Sequence, residues 1–527
     1  MAQSLLARTA VTAAQMRQIE ERLFAAGMPV AALMEKVGLV IAQQLAREYP
    51  RERFPHVGVV VGPGHNGGDA LVVARELALG GYQVSLCRPI AKLKELTAQH
   101  ANYASHLGLP VYNDIQALAP CALAIDGLFG FGLTRPLEGE IAAAVDALNA
   151  LPQPRVSIDV PSGVQTDTGE SLGTAVRADR TFCLGLWKRA FFQDRALPYV
   201  GRATRVDLGI PAPEVRAILS EPPQVEAMVA AVAQQHLPLS RSPATHKYRQ
   251  GHLLAVGGSQ RYAGSMTLTG WGATATGVGM LTLAVPSALK LTAVSQLPDA
   301  LVVACPETET GAIAQLPPQV IDGSRYSAIA CGPGLTREAA ATVKALLPLD
   351  APLVLDADAL NCLAAMGATE ALKQRPTETV LTPHPGEFRR LFPQLPHPGG
   401  DRLEAAQAAA RQSGAILLLK GARTAIAHPG GGVWVVPEST PALARGGSGD
   451  VLAGVIAGLL AQPLDSPAEA IAAAAAWWHA QAGLMAARQR TQMGVDARTL
   501  SQFLIPALQA MPAANDSSER QAAAPAF

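Results

Sequence analysis

VGVVVGPGHNGGDALVVAREL, residues 57–77, reads as an apolar strand, a glycine-rich turn and a helix in direct succession. Further apolar runs follow at helix-length intervals: YQVSLCR, LAIDGLFG, VSIDVPSG and TFCLGL. Strands alternating with helical segments predict a doubly wound parallel sheet. Gly62, Gly64 and Gly67 satisfy a G-x-G-x-x-G spacing, in which backbone amides at a helix start approach a phosphate. A dinucleotide site of the common dehydrogenase type also needs an acid about 20 residues on, to hold a ribose. The next strand ends in Arg88 instead, so an ordinary NAD dehydrogenase is not expected. The turn carries Asn66 and Asp69, which suit a cation or a polar substrate, or else merely cap the helix.

Two later strands end in the same style. AIDGLFGFGLTRPLEGEI places Asp126 at a strand end before a loop reaching Arg135, and VSIDVPSGV places Asp159 and Ser162 at another. Ligands of open α/β sheets bind beyond the carboxyl ends of the strands. Asn66, Asp69, Asp126, Asp159 and Ser162 are therefore expected to converge on one crevice, an all-oxygen set suited to a hard cation. Taken singly, each aspartate is more often a cap or turn residue. Upstream, residues 9–49 show helical periodicity, with Met16, Ile19, Leu23, Leu33, Val37 and Ile41 as candidate core positions.

Working outward, residues 211–245 are proline-rich and turn-prone, and read as a linker. The α/β rhythm then restarts with HLLAVGG, MLTLAVP, YSAIACGPG, PLVLDAD, ETVLTPHPGE, AILLLKG and VWVVP, which predicts a second sheet of seven or more strands. ARGGSGDVLAGVIAGLLA, residues 444–461, sets Gly446, Gly447 and Gly449 before Asp450 at the start of an apolar helix. Amides at that start form an anion hole, with Asp450 beside it as candidate base. Asp356 and Asp358 follow a strand, His384 stands between two prolines, and Lys420 and Thr424 lie at another strand end.

The chain has 527 residues, with 42 Lys+Arg against 42 Asp+Glu. Hydrophobic residues at 49% allow a sizeable core, and the neutral balance argues against general nucleic-acid binding. The six cysteines form no CxxC pair, so neither a zinc site nor a disulfide scaffold is expected, and a reducing cytoplasm fits. Mean hydropathy is +0.19, yet the uncharged runs Tyr262–Leu289 and Ala470–Ala487 are not convincing spans. With no signal-peptide pattern at the N-terminus, a cytoplasmic protein without membrane contact is expected.

VVVGPGHNGGDALVVAREL, IDGLFGFGLTR, IDVPSG and, more loosely, LGLWK resemble the NAD(P)H-hydrate epimerase family, and TAAQMRQIEERLFAAGMPVAALMEKVG is similar to that family's N-terminal helical segment. The family commonly has Asn where His65 stands and Gly where Ala70 stands. The resemblance implies that Asn66, Asp126 and Ser162 bind K⁺. It implies that His65, Asn66, Gly67, Gly68 and Asp69, the loop Gly130, Phe131, Gly132, Leu133, Thr134, Arg135 and Pro136, and Asp159 contact the hydrated cofactor. A positioned carboxylate would serve as acid/base, with Asp159 the first candidate and Asp69 the alternative.

The second motif set resembles the ADP-dependent NAD(P)H-hydrate dehydratase family over about residues 240–510. By that resemblance Ser265, Gly334, His384 and Asp450 contact the hydrate, while Lys420, Gly421, Ala422, Arg423, Thr424 and Gly449 hold the adenine nucleotide, with Mg²⁺ on ADP. Two departures are TPALARGGSGD, where the family often has Asn-Pro-Gly, and Ser265-Met266, where smaller residues are commoner. The implied fold is α/β in two domains. An N-terminal Rossmann-like doubly wound sheet spans 1–225, a ribokinase-like α/β domain spans 226–511, and residues 512–527 form a disordered tail. The implied reaction phosphorylates and eliminates the C6 hydroxyl of the S hydrate, which the first domain supplies from the R epimer. The ligands are then NAD(P)H hydrate and ADP or ATP, in a homo-oligomer that binds no nucleic acid. The alternative is a ribokinase-like vitamin-precursor kinase with a non-catalytic N-terminal binding domain.

Overall fold

Seven strands make one parallel sheet: β1 His56–Val61, β2 Gln83–Cys87, β3 Val111–Tyr112, β4 Leu123–Gly127, β5 Arg155–Ile158, β6 Arg180–Leu184 and β7 Arg202–Val206. Their order is β3-β2-β1-β4-β5-β6-β7. The chain starts at the centre, runs outward to β3, and returns on the other side of β1. Its switch point lies between β1 and β4, whose register pairs Val61 with Gly127. The computed structural model describes residues 5–219, 223–367, 369–511 and 527.

Helices α1, Ala13–Ala25, and α2, Val30–Glu48, precede the sheet, and α3, His65–Leu79, follows β1. Thr12 caps α1: its hydroxyl accepts from the Gln15 amide while the Gln15 side chain accepts from the Thr12 amide. Met16, Ile19, Val37 and Ile41 are buried as the periodicity predicts, and Leu23 and Leu33 are partly buried. Val37 and Ile41 pack with Leu71 and Val73 of α3 against Val57, Val59, Ile125 and Ile158 of the sheet. Burying one such side chain contributes roughly 1.5–3 kcal/mol.

The chain divides between Gln224 and Val225 into two units. The second holds a ten-stranded sheet: β8 Val225–Ala227, β9 His252–Val256, β10 Met280–Pro286, β11 Leu301–Cys305, β12 Ala328–Cys331, β13 Leu353–Leu355, β14 Thr379–Leu381, β15 Ile416–Leu419, β16 Thr424–Ala427 and β17 Val433–Val436. Their order is β8-β17-β16-β15-β14-β13-β12-β9-β10-β11. All neighbours are parallel except β15–β16 and β16–β17. The stretch 211–245 is thus more than a linker, because β8 within it is an edge strand of this sheet. Among its helices are α4 Ser265–Ala275, α5 Ser448–Leu460, α6 Ala468–Arg490 and α7 Ala497–Gln509. The alanine run of α6 is buried, and among the described residues no single helix is long and apolar enough to cross a membrane.

The tail expected over 512–527 falls outside the described residues except at Phe527. That residue exchanges two 2.7 Å backbone hydrogen bonds with Ala203 of β7, and its ring lies 4.6 Å from that of Trp187.

Close approach decides part of the glycine-rich turn. A Cβ on Gly67 would sit 1.9 Å from the Gly62 carbonyl oxygen, whereas one on Gly64 would meet nothing within 4 Å. Gly67→Ala is therefore expected to cost about 1–3 kcal/mol in urea unfolding of the first unit, as overpacking does. Gly64→Ala should be close to neutral in the same measurement, and equal losses at the two positions would refute this reading.

Candidate active sites

Beyond the carboxyl ends of β1, β4, β5 and β6 lies a cavity of about 460 Å³. His65, Asn66 and Asp69 enter it from the first turns of α3, Gly130 and Phe131 from the loop after β4, and Asp159 from the end of β5. Gly67 and Gly68 are buried inside α3 and do not line it. Gly132, Leu133, Thr134, Arg135 and Pro136 also fall outside the lining, and the Gly132 amide donates to the Thr166 hydroxyl at 3.0 Å.

Asp159 is held from three sides. Its Oδ1 takes the Lys188 ammonium at 2.5 Å and the Leu184 amide at 3.4 Å, and its Oδ2 takes the Phe131 amide at 2.8 Å. The backbone there is left-handed, with φ 70°, which is costly for a residue with a Cβ. Lys188 is 1% exposed and also donates to the Leu184 carbonyl. Burial pushes the Asp69 carboxyl well above the usual range, and Asp159 and Glu20 add to the rise. Burial likewise lifts Glu20, on α1, to about 7, against the pull of Lys188. His65 is lowered by burial and by Lys94.

Asp126 lies behind this cavity, at the end of β4. Its Oδ1 accepts from the Ser162 hydroxyl at 2.6 Å and its Oδ2 from the Ser157 hydroxyl at 2.8 Å. The Ser162 Oγ is also 3.2 Å from the Phe129 carbonyl oxygen. Carboxylate, hydroxyl and carbonyl oxygens therefore meet at one point, a donor set that fits a hard cation. The Asn66 Nδ2 is buried with no hydrogen-bond partner among the described residues.

In the second unit the organising contact is again lysine to aspartate. Lys420 Nζ lies 2.5 Å from Asp356 Oδ1, which also accepts from Thr382 at 2.8 Å. A Cβ on Gly449 would stand 3.2 Å from that ammonium, so the start of α5 lies against Lys420. Gly447, just ahead, adopts φ 91°, a left-handed turn that opens the helix. Asp450, in the first turn, is raised to about 7 by burial and then by Asp356, while Lys420 and a hydrogen bond to Ser265 oppose the rise. Gly334 packs on Ser265. Ser265, Gly334, Lys420, Gly449 and Asp450 thus come together.

His384 stands at the edge of this group. Its Nδ1 caps a short helix by accepting from the Gly386 amide at 2.9 Å, and its Nε2 is 3.4 Å from Glu387 Oε1. Burial and Lys420 lower its pKa, and burial lifts Glu387 to about 7. Gly421 and Thr424 close a turn through a 3.0 Å hydrogen bond, Ala422 is exposed, and the buried Arg423 donates to the Pro437 carbonyl. Among the described residues no group of three or more His, Cys, Asp or Glu side chains could hold a metal ion.

Lys188, Glu20, Glu387 and His479 were not anticipated as site residues. Lys188 ends the quoted LGLWK motif. Glu20 sits four residues after Met16 and four before Phe24, a carboxyl set into an apolar stripe, and that is a readable signal. His479, in α6, lies 2.9 Å from the Ser448 carbonyl, to which its Nε2 donates, and burial lowers it to about 4.

A family model described as NAD(P)H-hydrate dehydratase matches residues 253–506, and one described as the N-terminus of YjeF-related proteins matches residues 30–190. The chain is 55% identical over 500 residues to a bifunctional NAD(P)H-hydrate repair enzyme of Synechocystis sp., covering 95% of each chain. It is 36% identical over 513 residues to the protein of that description from Moorella thermoacetica, covering 94% of this chain and 95% of the relative. Among solved structures, an ADP/ATP-dependent NAD(P)H-hydrate dehydratase from Bacillus subtilis, co-crystallised with ATP and Mg²⁺, shares 29% identity. It covers 53% of this chain and 96% of its own, with a TM-score of 0.44.

Removing one member of a buried ion pair leaves the other charge unpaired. Lys188→Met is expected to cost about 3–5 kcal/mol in denaturant unfolding of the first unit. The double variant Lys188→Met/Asp159→Asn should recover part of that loss; additive losses would show that the two groups are uncoupled.

Proposed function

The chain belongs to the family of bifunctional NAD(P)H-hydrate repair enzymes, and on that premise we propose that its first unit interconverts the R and S hydrates of NAD(P)H while its second dehydrates the S hydrate at the expense of ADP or ATP. The observation that carries this reading is a pair of separate strand-end sites in one chain, each built on a lysine–aspartate contact. The vitamin-precursor kinase is not favoured, because relatives matched over nearly the whole chain are repair enzymes.

The hydrated ring carries its hydroxyl on a hemiaminal-like carbon, C6. Loss of that hydroxyl leaves a cation delocalised over the ring nitrogen, and its return to the other face completes epimerisation. The Asp159 carboxylate, fixed by Lys188 and the Phe131 amide, would stabilise that cation without reorganising. His65, Asn66 and Asp69 would contact the hydrate. Asn66, Asp126 and Ser162 would hold K⁺, which would supply positive charge to orient the ligand's oxygens.

In the second unit hydroxide is a poor leaving group, and phosphorylation improves it. Asp450 would take the proton of the C6 hydroxyl, and the amides at the start of α5 would stabilise the transferring phosphoryl. Lys420 would contact the nucleotide phosphates, with Gly421 to Thr424 shaping that end of the site. Mg²⁺ would arrive on the nucleotide and neutralise part of its charge. His479 would hold the helix start through Ser448. Ser265, Gly334 and His384 would line the hydrate side. Burial of all six cysteines as free thiols supports a cytoplasmic setting, and exposed Leu291, Val294 and Leu301 support a homo-oligomer.

A base works only when deprotonated, so dehydratase kcat/KM should rise with pH through about 7, where Asp450 titrates. Asp450→Asn should lower dehydration of the S hydrate by ~10²–10⁴-fold, the usual worth of a general base. Epimerisation of the R hydrate should be unchanged. The readout is recovery of reduced-nicotinamide absorbance with ADP or ATP. No recovery with wild-type protein, together with phosphate appearing on a vitamin alcohol, would overturn the assignment.

A further inference from the structure

The first cavity holds a carboxyl to which the resemblance assigns no role. Glu20 lines it from α1, beside Arg17 and Phe24 and across from the strand ends that carry the motif residues. No hydrogen bond or ion pair engages its carboxyl among the described residues. Asp159 differs in kind: both of its oxygens already accept from protein donors, one of them a buried ammonium. A carboxylate so held has no oxygen left free to meet a leaving hydroxyl. Asp69 lacks such partners as well, but it is buried in α3, whereas Glu20 is only partly buried and exchanges protons with solvent more readily. The site therefore separates two tasks, a fixed anion and a free acid.

We propose that Glu20 is the catalytic acid of the first site, protonating the C6 hydroxyl of the hydrate as it leaves. The inference rests on the epimerase reading above. In the step, the Glu20 proton passes to the hydroxyl oxygen and the C6–O bond breaks with its electron pair, so that water departs. The ring-nitrogen lone pair closes onto C6, giving a cation that faces Asp159. Water then adds to the other face of C6 and gives its proton to the Glu20 carboxylate, which restores the acid. Atoms and charge balance, and no co-reactant beyond water is required.

Three carboxyls, Glu20, Asp69 and Asp159, share this cavity with the buried Lys188. Burial raises both Glu20 and Asp69, and the neighbouring carboxyls add to each rise. The other charged or titratable groups facing the cavity are Arg17 on α1 itself, His65 on α3 and Lys94. Burial holds a proton on Glu20 up to about pH 7, against the opposing pull of Lys188.

The test uses the full-length protein, pure R hydrate and no nucleotide, so that the second site cannot consume product. Separation of the two hydrates by chromatography gives the rate, with spontaneous epimerisation subtracted. Glu20→Gln should lower kcat by ~10²–10⁴-fold with KM little changed, the usual loss on removing a general acid. The wild-type rate should fall as pH rises through about 7, and that fall should be absent in the variant. Glu20→Asp, which keeps a carboxyl, should recover part of kcat and the alkaline fall. Dehydration of S hydrate by Glu20→Gln should match wild type, and the denaturant unfolding of the first unit should too, showing an intact chain. Should Glu20→Gln fail to fold, the Glu20→Asp pH profile decides in its place. The proposal is overturned if Glu20→Gln epimerises within threefold of wild type, if only KM changes, or if Asp69→Asn alone abolishes the pH dependence. A wild-type protein that does not accelerate epimerisation at all would instead refute the function assigned to the first unit.

Discussion

A lysine ammonium set against a buried strand-end aspartate is the contact on which each site depends. Lys188 meets Asp159 and Lys420 meets Asp356, both at 2.5 Å. Desolvating two charges is expensive, and their mutual attraction repays it only where geometry and further hydrogen bonds are good. Both aspartates have such bonds, from Phe131 in one case and Thr382 in the other. With the cation committed to its partner, the remaining carboxyls in each site are left without a full counter-charge. Glu20, Asp69, Glu387 and Asp450 are all raised, with burial the leading cause in every case; Lys188 opposes the rise at Glu20, and Lys420 opposes it at Glu387 and Asp450.

The architecture was largely legible from residue pattern. Val57–Val61, Leu123–Gly127 and Ile416–Leu419 are buried on both faces, so they read as continuous apolar runs. The strands that these runs do not cover are of another kind, and they include Val111–Tyr112 and Arg202–Val206, the two edges of the first sheet. Val225–Ala227 is a three-residue edge strand within a proline-rich stretch, and Thr424–Ala427 follows a tight turn directly after Lys420. Leu301–Cys305 is an edge strand with exposed Leu301, and its short apolar run passed without remark. Local composition carries little of the pairing energy at such edges, so it signals them weakly.

The sites were legible where a motif sits on one element and obscure where a partner comes from another. Asp159, Asp450 and Ser162 stand out because strand ends and helix starts bracket them. The depth of Lys188 could not be read from LGLWK alone, since its burial depends on pairing across the sheet. The glycines also divide differently from the reading of the motif. Gly67 is required by contact with Gly62 rather than by a ligand, whereas Gly64 faces open space. A neutral chain thus builds its polar pockets from local geometry rather than from a surplus of cations.

The left-handed backbone at Asp159 bears on how this chain can drift. Besides aspartate, that conformation is tolerated best by glycine and asparagine. Both replacements are a single nucleotide change from an aspartate codon, so the backbone alone leaves two easy exits. Each exit strands the buried Lys188 ammonium without a counter-charge, and changing Lys188 first strands the carboxylate instead. Neither position can wander alone; among descendants of this gene the two should be inherited as a unit, or be lost as one.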